Sequence, residues 1–215
     1  RGIARTILER READARRANV IAIECFIDGR WTAALALAKK HDYAVFVHDL
    51  FLRRDATPWT ANVPDGIRLR PYAGRADDAA WVAISNAALA RDAGYHAVNE
   101  SDMASFAKMP GFELFFAESL SLSGGEASGA PMGYCHLERQ GDTGCLQALA
   151  VLASHESRGV GAALLSRAIE SLRRTSTFIE LCTEKDNVRA QRLYARAGFT
   201  LDREAFTVRK TLPRL

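Results

Sequence analysis

No apolar run in this chain approaches the roughly 18 residues needed to cross a bilayer, and no stretch has the order of a secretory leader. No Cys-x-x-Cys pair occurs either. Cys25, Cys135, Cys145 and Cys182 are scattered, which reads as free thiols in a reducing cytoplasm rather than a disulfide or zinc framework. The five histidines show no metal-ligand spacing, so no metal is expected. A surplus of one charge is also missing: residues 1–55 carry 11 Lys and Arg against 8 Asp and Glu, and residues 56–215 carry 18 against 18. The balanced part, residues 56–215, has no basic stripe and no interleaved aromatics, which makes nucleic acid a poor candidate partner, and with no long apolar run no membrane partner is expected. What remains, 48% hydrophobic and 26% charged over 215 residues, is the composition of a soluble globular protein with a real core.

The most informative stretch runs from the apolar Leu149-Ala150-Val151-Leu152 through Ala153 to Arg158, Gly159, Val160 and Gly161, into Ala162-Ala163-Leu164-Leu165. A strand, then a glycine turn, then a helix aims unpaired amides and the positive end of a helix dipole at one point, which makes an anion site. The ligand is not that of a P-loop, because Ala162 and Ala163 replace its lysine and hydroxyl residue. Nor is it that of a dinucleotide fold, because Leu164 stands where the third glycine would fall. About thirty residues on, Asp186 to Phe199 reads as a helix with both ends marked. Asp186 or Asn187 can cap it, Ala190, Leu193, Tyr194 and Ala197 share one face, and Gly198 supplies a left-handed stop.

Together these two segments resemble the GNAT superfamily of acyl-CoA-dependent N-acyltransferases. Arg158-Gly159-Val160-Gly161 looks like its diphosphate loop, and Asn187, Ala190, Leu193-Tyr194 and Gly198-Phe199 match its second motif. The resemblance extends over about 150 residues, the span of one domain. One position departs from it. Glu156 stands where the family usually has Gln or Arg, and is expected to point to solvent.

The resemblance implies an N-acetyltransferase that moves an acetyl group from acetyl-CoA to a primary amine, with a small molecule as acceptor. It implies that the backbone of Leu149, Ala150 and Val151 pairs with the pantetheine arm, and that Ser157, Arg158, Gly159, Val160, Gly161 and Ala162 hold the diphosphate. Asn187 is then expected beside the sulfur, and Tyr194 as the general acid that protonates the departing thiolate. Gln147 cannot act as a base, which leaves Glu118, His136, Glu138 and Glu180. Tyr95, His96 and Phe106 are candidates for acceptor contact. A non-catalytic acyl-CoA-binding module and a purely structural scaffold are the alternatives.

Self-similarity organises the rest. Arg1 to Glu9 resembles the glycine turn and helix near Gly159. At an offset of 156, Ala34, Leu37, Ala38 and Tyr43 fall on Ala190, Leu193, Tyr194 and Phe199. Residues 1–55 therefore read as the C-terminal half of a degenerate GNAT-like unit whose first half would precede Arg1, with an unrelated helical extension as the alternative. Trp31, Ala38 and Asp42 replace the motif's Asn, Tyr and Gly. Tandem units of this kind resemble the mycothiol synthase family. Residues 56–65 read as a linker and 66–215 as a complete domain.

In the first unit, helices are expected to about Ala18 and over Trp31–Tyr43, with strands at Val20–Glu24 and Tyr43–Val47. In the second, the expected strands are Ile67–Pro71, Phe112–Glu118, a Met132–Glu138/Cys145–Leu152 hairpin, Phe178–Cys182 and Ala205–Arg209. Asp77 or Asp78 caps one helix, another runs from Asn99 or Ser101 to Lys108, and Ser121–Gly129 reads as a mobile Gly/Ser segment. The result is an α/β, or layered α+β, fold with a mixed, mostly antiparallel sheet and helices on both faces. A homo-oligomer or association with the missing half stays open.

Overall fold

The computed structural model describes residues 2–120 and 129–213. The order is α1 (Ile3–Arg17), β1 (Ala22–Asp28), α2 (Thr32–Lys40), β2 (Ala44–Asp55), β3 (Ile67–Pro71), a 3-10 turn at Gly74–Asp77 and α3 (Asp78–Ala88). Then come α4 (Glu100–Phe106), β4 (Glu113–Ser119), β5 (Pro131–Gln140), β6 (Thr143–Val151) and a 3-10 turn at Ala153–His155. The chain continues through α5 (Val160–Leu172), β7 (Phe178–Glu184), α6 (Val188–Arg196) and β8 (Thr200–Thr211). This is the mixed α/β, mostly antiparallel arrangement expected. Of the mobile segment expected at Ser121–Gly129, residues 121–128 lie outside the described residues.

The fold divides into two units. The larger holds Leu52–Cys182 and Arg189–Thr200, with strand order β7-β6-β5-β4-β3. All its neighbouring pairs are antiparallel except β6 with β7. Alternation gives β4, β5 and β6 two apolar faces. Leu114, Phe116, Tyr134 and Ala150 pack with Trp81, Ile84, Ala88 of α3 and Met103 of α4. On the opposite face α5 buries Val160, Ala163, Leu164, Leu165, Ala168, Ile169 and Leu172, and each of its larger side chains contributes about 1.5–3 kcal/mol. Ser85 and Tyr134 hydroxyls bond at 2.8 Å within the α3 face, so that polar pair costs little to bury. Asn99 caps α4 through a reciprocal box with Asp102. Asp77 does not cap α3. Its carboxylate is taken up by the Arg70 guanidinium at 2.7 and 2.8 Å and by the Ala73 amide at 2.7 Å, which outcompete the helix amides.

The smaller unit comprises the chain up to Phe51, Thr183–Val188 and the chain from Leu201 on. Its strand order is β1-β8-β2, and β1 pairs antiparallel with β8 from Ala22↔Thr211 to Asp28↔Ala205. β1 starts two residues later than expected because the Val20 amide is spent on Ala15 O at 2.9 Å, closing α1. Ile27, Ala38, Tyr43 and Val208 form the core, beside an apolar cavity of about 670 Å³ bordered by Ile7, Leu8, Ile23, Ala34, Ala38 and Tyr43.

Element lengths and starting points show a regularity at the same offset of 156. β1, α2 and β2 match β7, α6 and β8 in length, at 7, 9 and 12 residues, and each starts 156 positions earlier. The closing turn repeats as well. Tyr43 donates to Ala38 O at 3.0 Å as Phe199 donates to Tyr194 O at 3.0 Å, and Asp42 (φ 63°) takes the left-handed place of Gly198 (φ 83°).

Candidate functional site

The parallel register of β6 with β7 runs from Thr143↔Phe178 to Leu146↔Leu181 and ends there, although both strands continue. The break coincides with a bulge. His136 pairs with Ala148 and Leu137 with Leu146, so Gln147 is the extra residue of β6. A bulge adds twist and bends its strand. From Gln147 onward β6 therefore carries Leu149, Ala150 and Val151 along an edge turned away from the β7 register. An extended ligand can pair with such an edge as an added strand.

That edge leads through the turn at Ala153–His155 to the glycine loop. Ser157 (φ 61°) and Gly159 (φ 84°) are both left-handed, and such a conformation turns backbone amides into an anion-binding concavity. Gly159 precedes α5, whose first ladder bond is Ala163 N–H to Gly159 O at 3.0 Å. The amides of Val160, Gly161 and Ala162 precede that bond, at the positive end of the helix dipole. Arg158 is exposed. Gly161 works differently from Gly159. A Cβ built there would meet Leu193 at 3.6 Å, Leu149 at 3.7 Å and Val151 at 3.8 Å, so its side faces a junction of three elements rather than the loop mouth.

Glu156 does not point to solvent as expected. Its side chain is 17% exposed and forms ion pairs with both Arg91 and Arg189. Burial alone would raise its pKa, but the Arg91 and Arg189 guanidinium groups outweigh that and hold it below the ordinary carboxylate value. Two guanidinium groups against one carboxylate leave the entrance to the loop positive. This removes the conflict that a lone carboxylate beside a phosphate would pose.

α6 carries Tyr194 one residue after Leu193, the side chain that reaches the junction at Gly161. The Tyr194 ring is buried, with its centroid 6.0 Å from Phe199 in an edge-to-face contact. Burial, then the charges of Asp92 and Cys182, push its hydroxyl well above the ordinary tyrosine pKa, so the proton stays in place at neutral pH. The end of α6 is fixed by Arg54, which donates to the Ala197 carbonyl, to Thr57 O and Thr57 Oγ1 at 2.8 Å each, and to Asp55 O at 3.0 Å. Asn187 lies one residue before α6, its amide on Glu184 O at 3.0 Å.

The four candidate bases stand in different surroundings. Glu118 is fully buried, with its oxygens on Arg68 at 2.9 Å and Arg70 at 2.6 Å. Glu180 pairs with Arg53 at 3.1 Å. His136 and Glu138 lie side by side on β5, 3.3 Å apart. Of the acceptor-contact candidates, the Tyr95 hydroxyl donates to Asn86 Oδ1 at 2.6 Å, Phe106 packs on Trp81 and His136, and His96 is exposed. Among the described residues no group of three or more His, Cys, Asp or Glu could hold a metal ion, and no helix is long and apolar enough to cross a membrane.

The sequence model of the Acetyltransferase (GNAT) family matches residues 81–199. The chain belongs to the GNAT family. A mycothiol acetyltransferase of Kineococcus radiotolerans is 30% identical over 176 residues, covering 79% of this chain and 52% of the relative. One from Mycobacterium avium is 32% identical over 164 residues, covering 69% and 52%. The chain thus spans about half the length of these curated relatives. Among solved structures, a GCN5-related N-acetyltransferase from Sphaerobacter thermophilus aligns with 100% of this chain and 70% of its own at a TM-score of 0.80 and 21% identity. A tandem GNAT protein from the clavulanic acid biosynthesis pathway aligns at 0.74 and 14%, covering 98% and 70%. GNAT proteins generally use acetyl-CoA as donor. In this GNAT chain Arg91 and Arg189 escaped sequence reasoning because they lie 65 and 33 positions from Glu156. The misplaced acid at Glu156 was the only sign that something must balance it.

Proposed function

We propose that this GNAT chain transfers the acetyl group of acetyl-CoA to the primary amine of a small molecule. The observation that carries the reading is the junction at Gly161, where α5, the open edge of β6 and the helix bearing Tyr194 come within 3.6–3.8 Å of one point. In this reading the Ser157–Ala162 backbone, with Arg158, holds the diphosphate. Leu149, Ala150 and Val151 pair with the pantetheine arm, and Asn187 steadies it near the sulfur. A strand amide donates to the oxyanion formed on attack, an interaction worth on the order of 3 kcal/mol of barrier. Tyr194 gives its proton to the thiolate as the C–S bond breaks. Residues 1–55 are, in the same reading, half of a degenerate second unit, 56–65 a linker and 66–215 the acetyltransferase domain.

The experiment is thermal unfolding with and without acetyl-CoA, paired with coenzyme A release against a panel of primary amines. A ligand held only by the folded state stabilises it by about 2.7 kcal/mol at 100 times its Kd. Tyr194→Phe should then cut turnover by roughly 10²–10⁴-fold with acetyl-CoA affinity unchanged. Absence of any shift at millimolar acetyl-CoA would overturn the proposal.

A further inference from the structure

Geometry separates the four groups on the central strands that could take a proton from an amine. Glu118 is sealed beneath two guanidinium groups, and Glu180 is held by Arg53, itself stacked on the Phe178 ring at 3.8 Å. Among the described residues Glu138 has no guanidinium partner: Oε2 accepts from Gln147 Nε2 at 3.0 Å, and Oε1 lies 3.3 Å from His136 Nε2. His136 is 5% exposed, and its Nε2 is buried without a hydrogen-bond partner of good geometry. Its ring is wedged against Phe106 and Phe112, centroids 5.5 and 5.0 Å away. Burial lowers its pKa to about 4, so at neutral pH it is an uncharged imidazole. A buried, uncharged ring beside a carboxylate orients it without neutralising it.

Position completes the case. Gln147 is the bulge residue at which β6 leaves β7, so it marks the inner end of the open edge. Gln147 is exposed, whereas the Glu138 side chain just beneath it is 10% exposed. An incoming ammonium can displace the Gln147 amide and find a carboxylate waiting. We propose that Glu138 is the catalytic base and the acceptor's ammonium site, with His136 and Gln147 as positioning residues. The proposal rests on the transferase reading above and narrows the acceptor to a primary amine that arrives protonated.

The protons balance as follows. Glu138 takes one proton from the ammonium, and the free lone pair attacks the thioester carbonyl carbon. The C–S bond breaks, and the thiolate sulfur receives the Tyr194 proton. The second N–H proton, shed as the amide forms, replaces it on Tyr194. One proton in total passes from the ammonium through Glu138 to water. Stripping water from an ammonium–carboxylate pair favours the neutral forms of both, which eases the first step. The titratable groups beside Glu138 are His136 on its own strand and Cys145 on β6, a thiol whose pKa is raised first by burial and then by Glu180, itself paired with Arg53, and by Glu138. Glu113 on β4 is turned the other way, accepting from Ser171 of α5 at 2.5 Å.

The test compares two acceptors, ethanolamine, protonated at neutral pH, and hydroxylamine, already neutral there, in the unsubstituted chain and in Glu138→Gln. The variant should lose 100-fold or more of kcat/KM for ethanolamine, keep hydroxylamine transfer within a few-fold, and bind acetyl-CoA with unchanged Kd by calorimetry. The acidic limb of its pH–rate profile should vanish, and sodium formate should restore part of the activity of Glu138→Ala. Equal losses for both acceptors, or an unaltered pH profile, would overturn the assignment. An unsubstituted chain that binds acetyl-CoA but transfers to neither acceptor overturns it too. One that does not bind acetyl-CoA sinks the transferase reading first.

Discussion

Replacing Gly159 and Gly161 by alanine should move stability in opposite directions, though the two residues are neighbours in one motif. Gly159 sits at φ 84°, and a Cβ there would lie 3.1 Å from Pro64 Cγ. The left-handed conformation costs a non-glycine residue roughly 1–2 kcal/mol, and the proline ring has to yield slightly. Gly161 is the second residue of α5, with no left-handed strain, and its added methyl would meet Leu193, Leu149 and Val151 at 3.6–3.8 Å, which is ordinary contact. Glycine in a helix interior is less favourable than alanine by about 0.8–1.0 kcal/mol, and the first turn realises part of that. Gly159→Ala is therefore expected to unfold about 1–2 kcal/mol more easily, and Gly161→Ala to be neutral or up to about 1 kcal/mol more stable. Chemical denaturation followed by circular dichroism measures both. Acetyl-CoA affinity should fall in the first variant and hold in the second, because only Gly159 sets the direction of the loop amides. If Gly161→Ala proved the more damaging of the two, the junction as drawn would be wrong.

Glu156→Gln releases Arg91 and Arg189, and acetyl-CoA should bind several-fold tighter at low ionic strength, the gain shrinking with added salt. Because the folded state holds the Glu156 pKa below its ordinary value, its ion pairs stabilise fully above the ordinary carboxylate value, and that stability declines below it and is lost as pH falls through the lowered folded-state value. The stability gap between the chain and this variant should accordingly close on acidification, as unfolding curves at stepped pH will register. Tyr194→Phe keeps the edge-to-face contact with Phe199, and its unfolding midpoint should correspond to a change under about 1 kcal/mol. In the smaller unit, Ala38→Phe places a ring against the 670 Å³ cavity. It should leave stability unchanged or raised by calorimetry, where overpacking a filled core would cost about 1–3 kcal/mol.

Features encoded by adjacent residues were legible in the sequence. The strand at Ile67–Pro71, the box-capped helix after Asn99 and the β5–β6 hairpin all follow from residues within a few positions of one another. So does the glycine turn at Gly159 between a strand and a helix, whose left-handed φ of 84° the structure adds. Features that depend on a distant partner were not legible. β8 runs from Thr200 to Thr211 rather than from Ala205 to Arg209, and its two residues past Arg209, Lys210 and Thr211, pair with Ile23 and Ala22 of β1, nearly the whole chain away. The bulge at Gln147 leaves no mark in the alternation of apolar residues. Glu156 read as an ill-placed acid because its partners come from other elements.

The pair of like helices at an offset of 156, α2 and α6, bears on what packing requires at Tyr194. Ala38 and Tyr194 hold equivalent positions in helices of equal length, and they are buried to nearly the same degree, 7% and 6% exposed. The flanking leucine, the aromatic five residues on and the hydrogen bond closing the turn are also shared. A helix of this shape therefore seats on its neighbours with a methyl group as readily as with a phenol. In the smaller unit, where the methyl stands, a cavity borders the position. In the larger unit a hydroxyl is carried into a buried place that raises its pKa, a cost that filling the same space with Phe would avoid. Packing alone therefore does not call for a hydroxyl at Tyr194, and comparing Tyr194→Phe with the unsubstituted chain in both stability and turnover separates the cost of burying that hydroxyl from any use of its proton.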